Sequence, residues 1–263
     1  MCGLERDLAY SHLMPAALYD YLRDGGLSPI KVGRGFVAAS DRQTQAYVLC
    51  ESCEGVLSKG GETWVNPKFA TMDRKFPLYD LVVQGPADYH DSDGAAYRVQ
   101  LNPLIDADKL THFAAGLFWK ASVHPWLKDR LEPRIELGPY SDQLRRFLLG
   151  EAAFPSNMVL NIFISGPANA QIVMNDPHGG DRVDGVRTYF SHILGTLFLL
   201  SVGKSLPIEM RQLCFVTHPG HPLVISNDMT KQFEKIFATS FQRSRKTASF
   251  LKTTAKRGEQ LRS

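Results

Sequence analysis

Cysteine is scarce in this chain, four residues in 263, yet Cys50 and Cys53 lie three positions apart in YVLCESCEGVLSKGGETWV, residues 47–65. A turn between two cysteines at that spacing points both thiolates at one ion, so the pair reads as half of a tetrahedral metal site. The other half is sought at the start of the chain. Cys2 opens CGLERDLAYSHLMP, in which His12 follows ten residues later as part of His-x-x-Pro. Histidine ordinarily titrates near neutral pH, so its imidazole can accept a proton or ligate a metal.

Other residues of reactive type carry less. His218 and His221, in THPGHP, have the spacing of a metal pair, but two imidazoles without a third ligand make a poor site, and Pro219-Gly220 predicts a hairpin turn. His124, ahead of Pro125, suits a helix end, where a cation complements the dipole. Cys214, in LCFV, is expected to be a small buried hydrophobe. GRGF, residues 33–36, lacks the strand-loop-helix context of a phosphate loop.

The elements that must position these groups fall into three zones. In the first, PAALYDYLRDGG predicts a short helix with proline at its start and glycines at its end, TQAYVLC predicts a strand, and ESCEGVLSKGGETWV begins a helix. In the second, Leu110, Phe113, Ala114, Leu117, Phe118 and Ala121 recur at helical spacing and predict a helix over 106–124, with another over 141–149. In the third, NMVLNIFIS, AQIVMN, VRTYFSHI, TLFLLSV, LCFVTH and PLVIS are short β-branched and aromatic runs between Gly, Pro and Asn, the pattern of antiparallel strands. A last helix is expected over about 230–257. The fold class expected is α+β, with a head over 1–66 and an α+β domain over 67–263 that is helical first and β-rich later.

A chain of 263 residues with 44% hydrophobic composition can bury a proper core. Its longest apolar run, 193–202, is half of what a membrane span needs. Four cysteines are too few for a secreted disulfide scaffold, and the Cys-x-x-Cys favours a reducing compartment, so a cytoplasmic protein without a membrane segment is expected. The net charge of +3 is unevenly spread: residues 231–263 hold nine Lys or Arg against two acids, +7, which leaves −4 for the remainder. A basic end on a mildly acidic body points to a polyanionic partner, with Arg243, Arg245 and Lys246 as contacts and Lys59 as a further phosphate contact, or else to a solvated helix face.

The order cysteine, His-x-x-Pro, Leu-Cys-x-x-Cys and then a helix resembles the HNH superfamily of treble-clef, ββα-metal proteins. The chain is also similar to bacterial proteins that carry such a head together with the PAALY helix, the LCxxCE…KGGE segment and a helix holding Phe118, Trp119, Val123, His124 and Trp126. The resemblance implies structural zinc on Cys2, Cys50 and Cys53. It implies His12 as the general base of a metal-dependent endonuclease that hydrolyses DNA phosphodiesters, with Mg²⁺ or Mn²⁺ as the catalytic ion and Glu54 or Glu62 as its ligand or support.

The pattern departs from the family in four places. Two cysteines precede the family's histidine, and one does here. If Cys2 matches the second, the first falls ahead of Met1; if it matches the first, Glu5 takes the second place. Ser11 stands where an acidic residue often precedes the histidine, and Glu54 where asparagine is common. No histidine occupies the last metal position, where Glu62 is the substitute. His12 is therefore expected either as a base, as a residue capping the knuckle, or as a fourth zinc ligand. The alternative to a nuclease is a non-catalytic zinc module that binds nucleic acid or protein.

Overall fold

The computed structural model describes residues 1–23, 30–33, 36–39, 43–71, 73, 75–126, 135–165 and 174–226. The expected closing helix and the basic residues Arg243, Arg245 and Lys246 lie outside them.

The N-terminal part is a ribbon leading into a long helix. Strand β1 (Leu8–His12) is followed by helix α1 (Ala16–Leu22), entered after Pro15 as its fixed φ allows. Strands β2 (Ile30–Gly33) and β3 (Phe36–Ala39) form their own antiparallel pair, in which Gly33 and Phe36 of GRGF are register partners. Strand β4 (Gln45–Cys50) returns antiparallel to β1 and runs without a break into helix α2 (Glu51–Leu57).

Helix α2 continues as a π-helical turn, Ser58–Glu62, and then as α3 (Thr63–Phe69). The turn has an identifiable cause. Helix α5 (Ala107–Val123) crosses so closely that a Cβ on Gly61 would lie 2.6 Å from the Lys109 carbonyl oxygen, and one on Gly60 would enter the His112 ring. Only Gly-Gly admits this approach. The widened turn leaves carbonyls poorly served by the helix ladder, and Lys109 Nζ donates to the Lys59 carbonyl at 2.6 Å. The boundary expected at residue 66 falls inside α3, and head residues Leu13, Met14, Leu49 and Leu57 share one core with Phe113, Phe198 and Ile162.

Helix α5 starts at Asp106, whose side chain caps the Lys109 N–H at 2.9 Å, and is buried on most of its circumference. Helices α4 (Pro77–Val83) and α6 (Tyr140–Leu148) lie near it in sequence, and α6 packs on α5. Phe69 of α3 and Phe113 of α5 meet each other with ring centroids 5.4 Å apart and meet Phe198 at 6.0 and 5.9 Å, which ties both helices to the sheet.

That sheet has seven strands: β5 (Ala87–His90), β6 (Gly94–Arg98), β7 (Met158–Ile164), β8 (Met174–Val183), β9 (Val186–Ile193), β10 (Thr196–Val202) and β11 (Pro222–Ser226). Their spatial order is β5-β6-β11-β7-β10-β9-β8. It corrects the expected organisation in three ways. The sheet is mixed, because β11 runs parallel to β7. The middle of the chain contributes β5 and β6 and is not purely helical. LCFVTH forms no strand: residues 215–220 are turns held by short-range bonds such as His218 N–H to the Cys214 carbonyl at 3.1 Å, with Phe215 N–H alone reaching β7. Proline at 207, 219 and 222 removes ladder donors around that run, which favours turns over pairing. Cys214 is fully buried with Val159, Val186 and Leu206, as a small hydrophobe should be.

Candidate metal centre

The register of the β1–β4 ribbon decides which residues meet. Leu8 pairs with Cys50 at one end, and His12 pairs with Gln45 at the other. Cys50 ends β4 in an extended conformation and occupies the N-cap of α2, so Cys53 lies one helical turn on and faces the same side. Cys2, just ahead of β1, comes back to the same corner because β1 is antiparallel to β4. The Sγ atoms of Cys2, Cys50 and Cys53 all lie within 4.8 Å of one another, and Cys2 Sγ is 3.9 Å from Cys50 Sγ.

That separation discriminates between two states of cysteine. A disulfide requires about 2.05 Å between sulfurs. Two sulfurs bound at ~2.3 Å to one tetrahedral ion stand about 3.8 Å apart. The corner is therefore not a disulfide, and its spacing is compatible with a thiolate metal site as well as with hydrogen-bonded thiols. Among the described residues this is the one grouping of three or more Cys, His, Asp or Glu side chains able to hold an ion.

The thiols are electrically unequal. The Cys50 thiol is pulled down to about 6, first by the Ser52 hydroxyl and then by the Cys53 backbone N–H and thiol. Burial pushes the Cys53 thiol up to about 11, and its bond to Cys50 adds to the rise. Without a metal, Cys50 is thus the more readily deprotonated of the two. A divalent cation would favour the deprotonated form of all three. The donor set of three sulfurs suits zinc, a borderline-soft ion.

The Ser52 hydroxyl was not foreseen as a participant. Its oxygen lies 3.2 Å from Cys50 Sγ and accepts an N–H from Arg6 Nη1 at 3.2 Å. Its place between the two cysteines of Cys-x-x-Cys was the one signal in the chain that could have flagged it. Beside this corner opens a groove of about 870 Å³ lined by Arg6, Asp7, Cys50, Glu51, Ser52 and Lys59.

The remaining expected site residues lie elsewhere. His12 is separated from the cysteine corner by the length of the ribbon, about 15 Å at ~3.3 Å per residue, which rules it out as the fourth ligand. Its Nε2 meets the Gln45 side-chain amide, which also donates to Gln43 Oε1 at 3.2 Å. Ser11 is buried and its hydroxyl donates to the Ala9 carbonyl. Glu62 accepts from Lys120 Nζ at 3.0 Å, and that lysine is 3% exposed. Glu54 follows Cys53 on α2, with a buried Oε1 that has no hydrogen-bond partner. Lys59 is exposed at the groove.

His218 and His221 are each spent on backbone: His218 Nδ1 accepts the Gly220 N–H at 2.9 Å, and His221 Nδ1 bonds the Phe215 carbonyl at 2.7 Å. His124 is the C-cap of α5, as its sequence position implied, and Trp126 Nε1 donates to the Lys120 carbonyl in that last turn.

The outer face of the ribbon carries exposed side chains. Leu8, Tyr10 and His12 alternate on one side of β1, and Tyr10 lies against Tyr47 with ring centroids 5.0 Å apart. Tyr10 and Tyr47 are 54% and 65% exposed, which is high for aromatic rings. No helix among the described residues is long and apolar enough to cross a membrane. Comparison with protein-family models, curated proteins and solved structures returns no match for this chain.

Proposed function

We propose that the protein is a zinc-stabilised module of the treble-clef kind that binds nucleic acid without cutting it, in a reducing, cytoplasmic setting. The carrying observation is the three-sulfur corner at the junction of β4 and α2. Cys2, Cys50 and Cys53 would hold the ion, which would fasten the chain start to the helix and supply folding energy rather than chemistry. Nucleic acid is favoured as the partner by the Tyr10–Tyr47 pair, whose exposed rings suit stacking on unpaired bases, and by the +7 charge of residues 231–263. The test is direct. The purified chain should carry about one zinc, and Tyr47→Ala should weaken binding of single-stranded oligonucleotides about tenfold at low salt, as loss of one stacked base would. A zinc-free protein or unchanged binding would defeat the corresponding half of the reading.

A second reading, an HNH-type nuclease with His12 as base and Mg²⁺ or Mn²⁺ as the catalytic ion, is favoured by one observation: the Gln45 amide holds an otherwise accessible imidazole in a defined orientation. Against it stand the engagement of Glu62 by Lys120 and of Ser11 by its own strand. Plasmid nicking that requires Mg²⁺ or Mn²⁺ and disappears in His12→Ala, with zinc retained, would establish it.

A further inference from the structure

Three thiolates around a divalent ion carry a net charge of −1, and a site of that charge benefits from hydrogen-bond donors aimed at its sulfurs. Ser52 and Arg6 supply such an arrangement, and the direction of the bonds follows from chemistry. A guanidinium has donors only, so the Ser52 oxygen must accept from Arg6 Nη1, at 3.2 Å. The one hydrogen of that hydroxyl is thereby left for its other neighbour, Cys50 Sγ, also at 3.2 Å. The order of donation is Arg6 to Ser52 to Cys50.

From this geometry we infer that Ser52 and Arg6 are positioning residues of the metal centre, a relay in which the arginine's positive charge polarises the hydroxyl that donates to the Cys50 thiolate. The inference rests on the zinc reading above. The relay explains why an arginine ahead of β1 and a serine inside the cysteine pair, 46 residues apart, meet on the same side of the ribbon. It also joins the chain start to α2 by a second route beside the sulfurs, so Arg6 and Cys2 each hold the same segment in place. Both relay residues are solvent-accessible and line the groove, so their contribution is to metal affinity rather than to burial.

Zinc affinity of the full chain, measured by competition with a chromophoric chelator, tests the relay. Ser52→Ala should weaken zinc binding about tenfold, the loss usual for a group supporting a metal ligand. Ser52→Thr, which keeps the hydroxyl, should restore most of it. Arg6→Ala should weaken binding by a smaller factor, and should add nothing in the Ser52→Ala background, because the link it acts through is already gone. Affinity within twofold of wild type for Ser52→Ala overturns the relay, as does an undiminished effect of Arg6→Ala without the hydroxyl. Cys50→Ser, measured alongside, separates the two levels: if it also leaves zinc affinity unchanged, the zinc reading itself falls, whereas loss of zinc in Cys50→Ser with none in Ser52→Ala removes the relay alone.

Discussion

The two ends of the β1–β4 ribbon do different things. At the Leu8 end, three sulfurs converge on a point, with a hydroxyl and a guanidinium behind them. At the His12 end, an imidazole is held by a glutamine amide. The difference is one of register. In an antiparallel ribbon the two strands run in opposite directions, so Leu8 meets Cys50 at one end and His12, four positions later, meets Gln45 at the other. Proximity in a motif and proximity in space are separate matters.

The largest effect that would sharpen this contrast is at the sulfur end. Cys53→Ser should abolish stoichiometric zinc and cost several kcal/mol, since metal binding and folding of this corner are coupled; elemental analysis and thermal melting check both. Next comes the neighbouring buried pair. Glu62→Ala leaves the Lys120 ammonium, 3% exposed, without its partner and should destabilise by about 3 kcal/mol with zinc retained, measured by urea unfolding. Zinc loss in that variant would mean that the corner and the helix crossing are one unit.

At the histidine end the effect should be small. His12→Ala should keep its zinc and lose about 1 kcal/mol or less, the worth of one ordinary hydrogen bond; release of zinc by this substitution would break the distinction between the two ends. The subtlest contrast is in pH. In metal-stripped protein, one thiolate should appear as pH rises through about 6 and another only through about 11, followed by ultraviolet thiolate absorbance. Because the Cys50 value is lowered on folding, its contribution to stability is present above the ordinary thiol range and fades as pH falls toward 6. The Cys53 value is raised, so its contribution is present below that range and fades as pH climbs to 11. Identical titration of the two thiols near the ordinary value would contradict the asymmetry.

The elements legible in the sequence are those with one strong local signal. The β-branched runs of β9, β10 and β11 match their strands end to end, and Asp106 marked the start of α5 by its capping side chain. What escaped had no local signal, or a misleading one. β5 is exposed at all four positions, so no apolar alternation announces it; only the DSDG turn that follows, where Asp91 Oδ1 accepts the Asp93 and Gly94 N–H groups, hints at a hairpin. LCFVTH had strand composition, but prolines on both sides left it without a ladder. In the site, Cys50 and Cys53 were found through their spacing, because the geometry of Cys-x-x-Cys is local, whereas Cys2, 48 residues from Cys50, entered only through the family resemblance. Arg6 and Ser52 meet across 46 residues, and a contact of that kind becomes visible only once the ribbon's register is known.

The π-helical turn at Ser58–Glu62 has one further consequence. Each residue of an α-helix advances the side-chain azimuth by about 100°. A turn that holds more residues than the regular helix retards everything after it relative to everything before. Upstream stand the cysteines at the mouth of the helix; downstream stand Val65 and Phe69, fully inside the core. The turn sets the angular offset between these two groups, so that one continuous rod can show its sulfur face to the chain start and its aromatic face to the sheet. Winding the same five residues as regular α-helix would advance the downstream face by about 90° and put those two faces out of phase. The wide winding of SKGGE is thus a constraint in its own right.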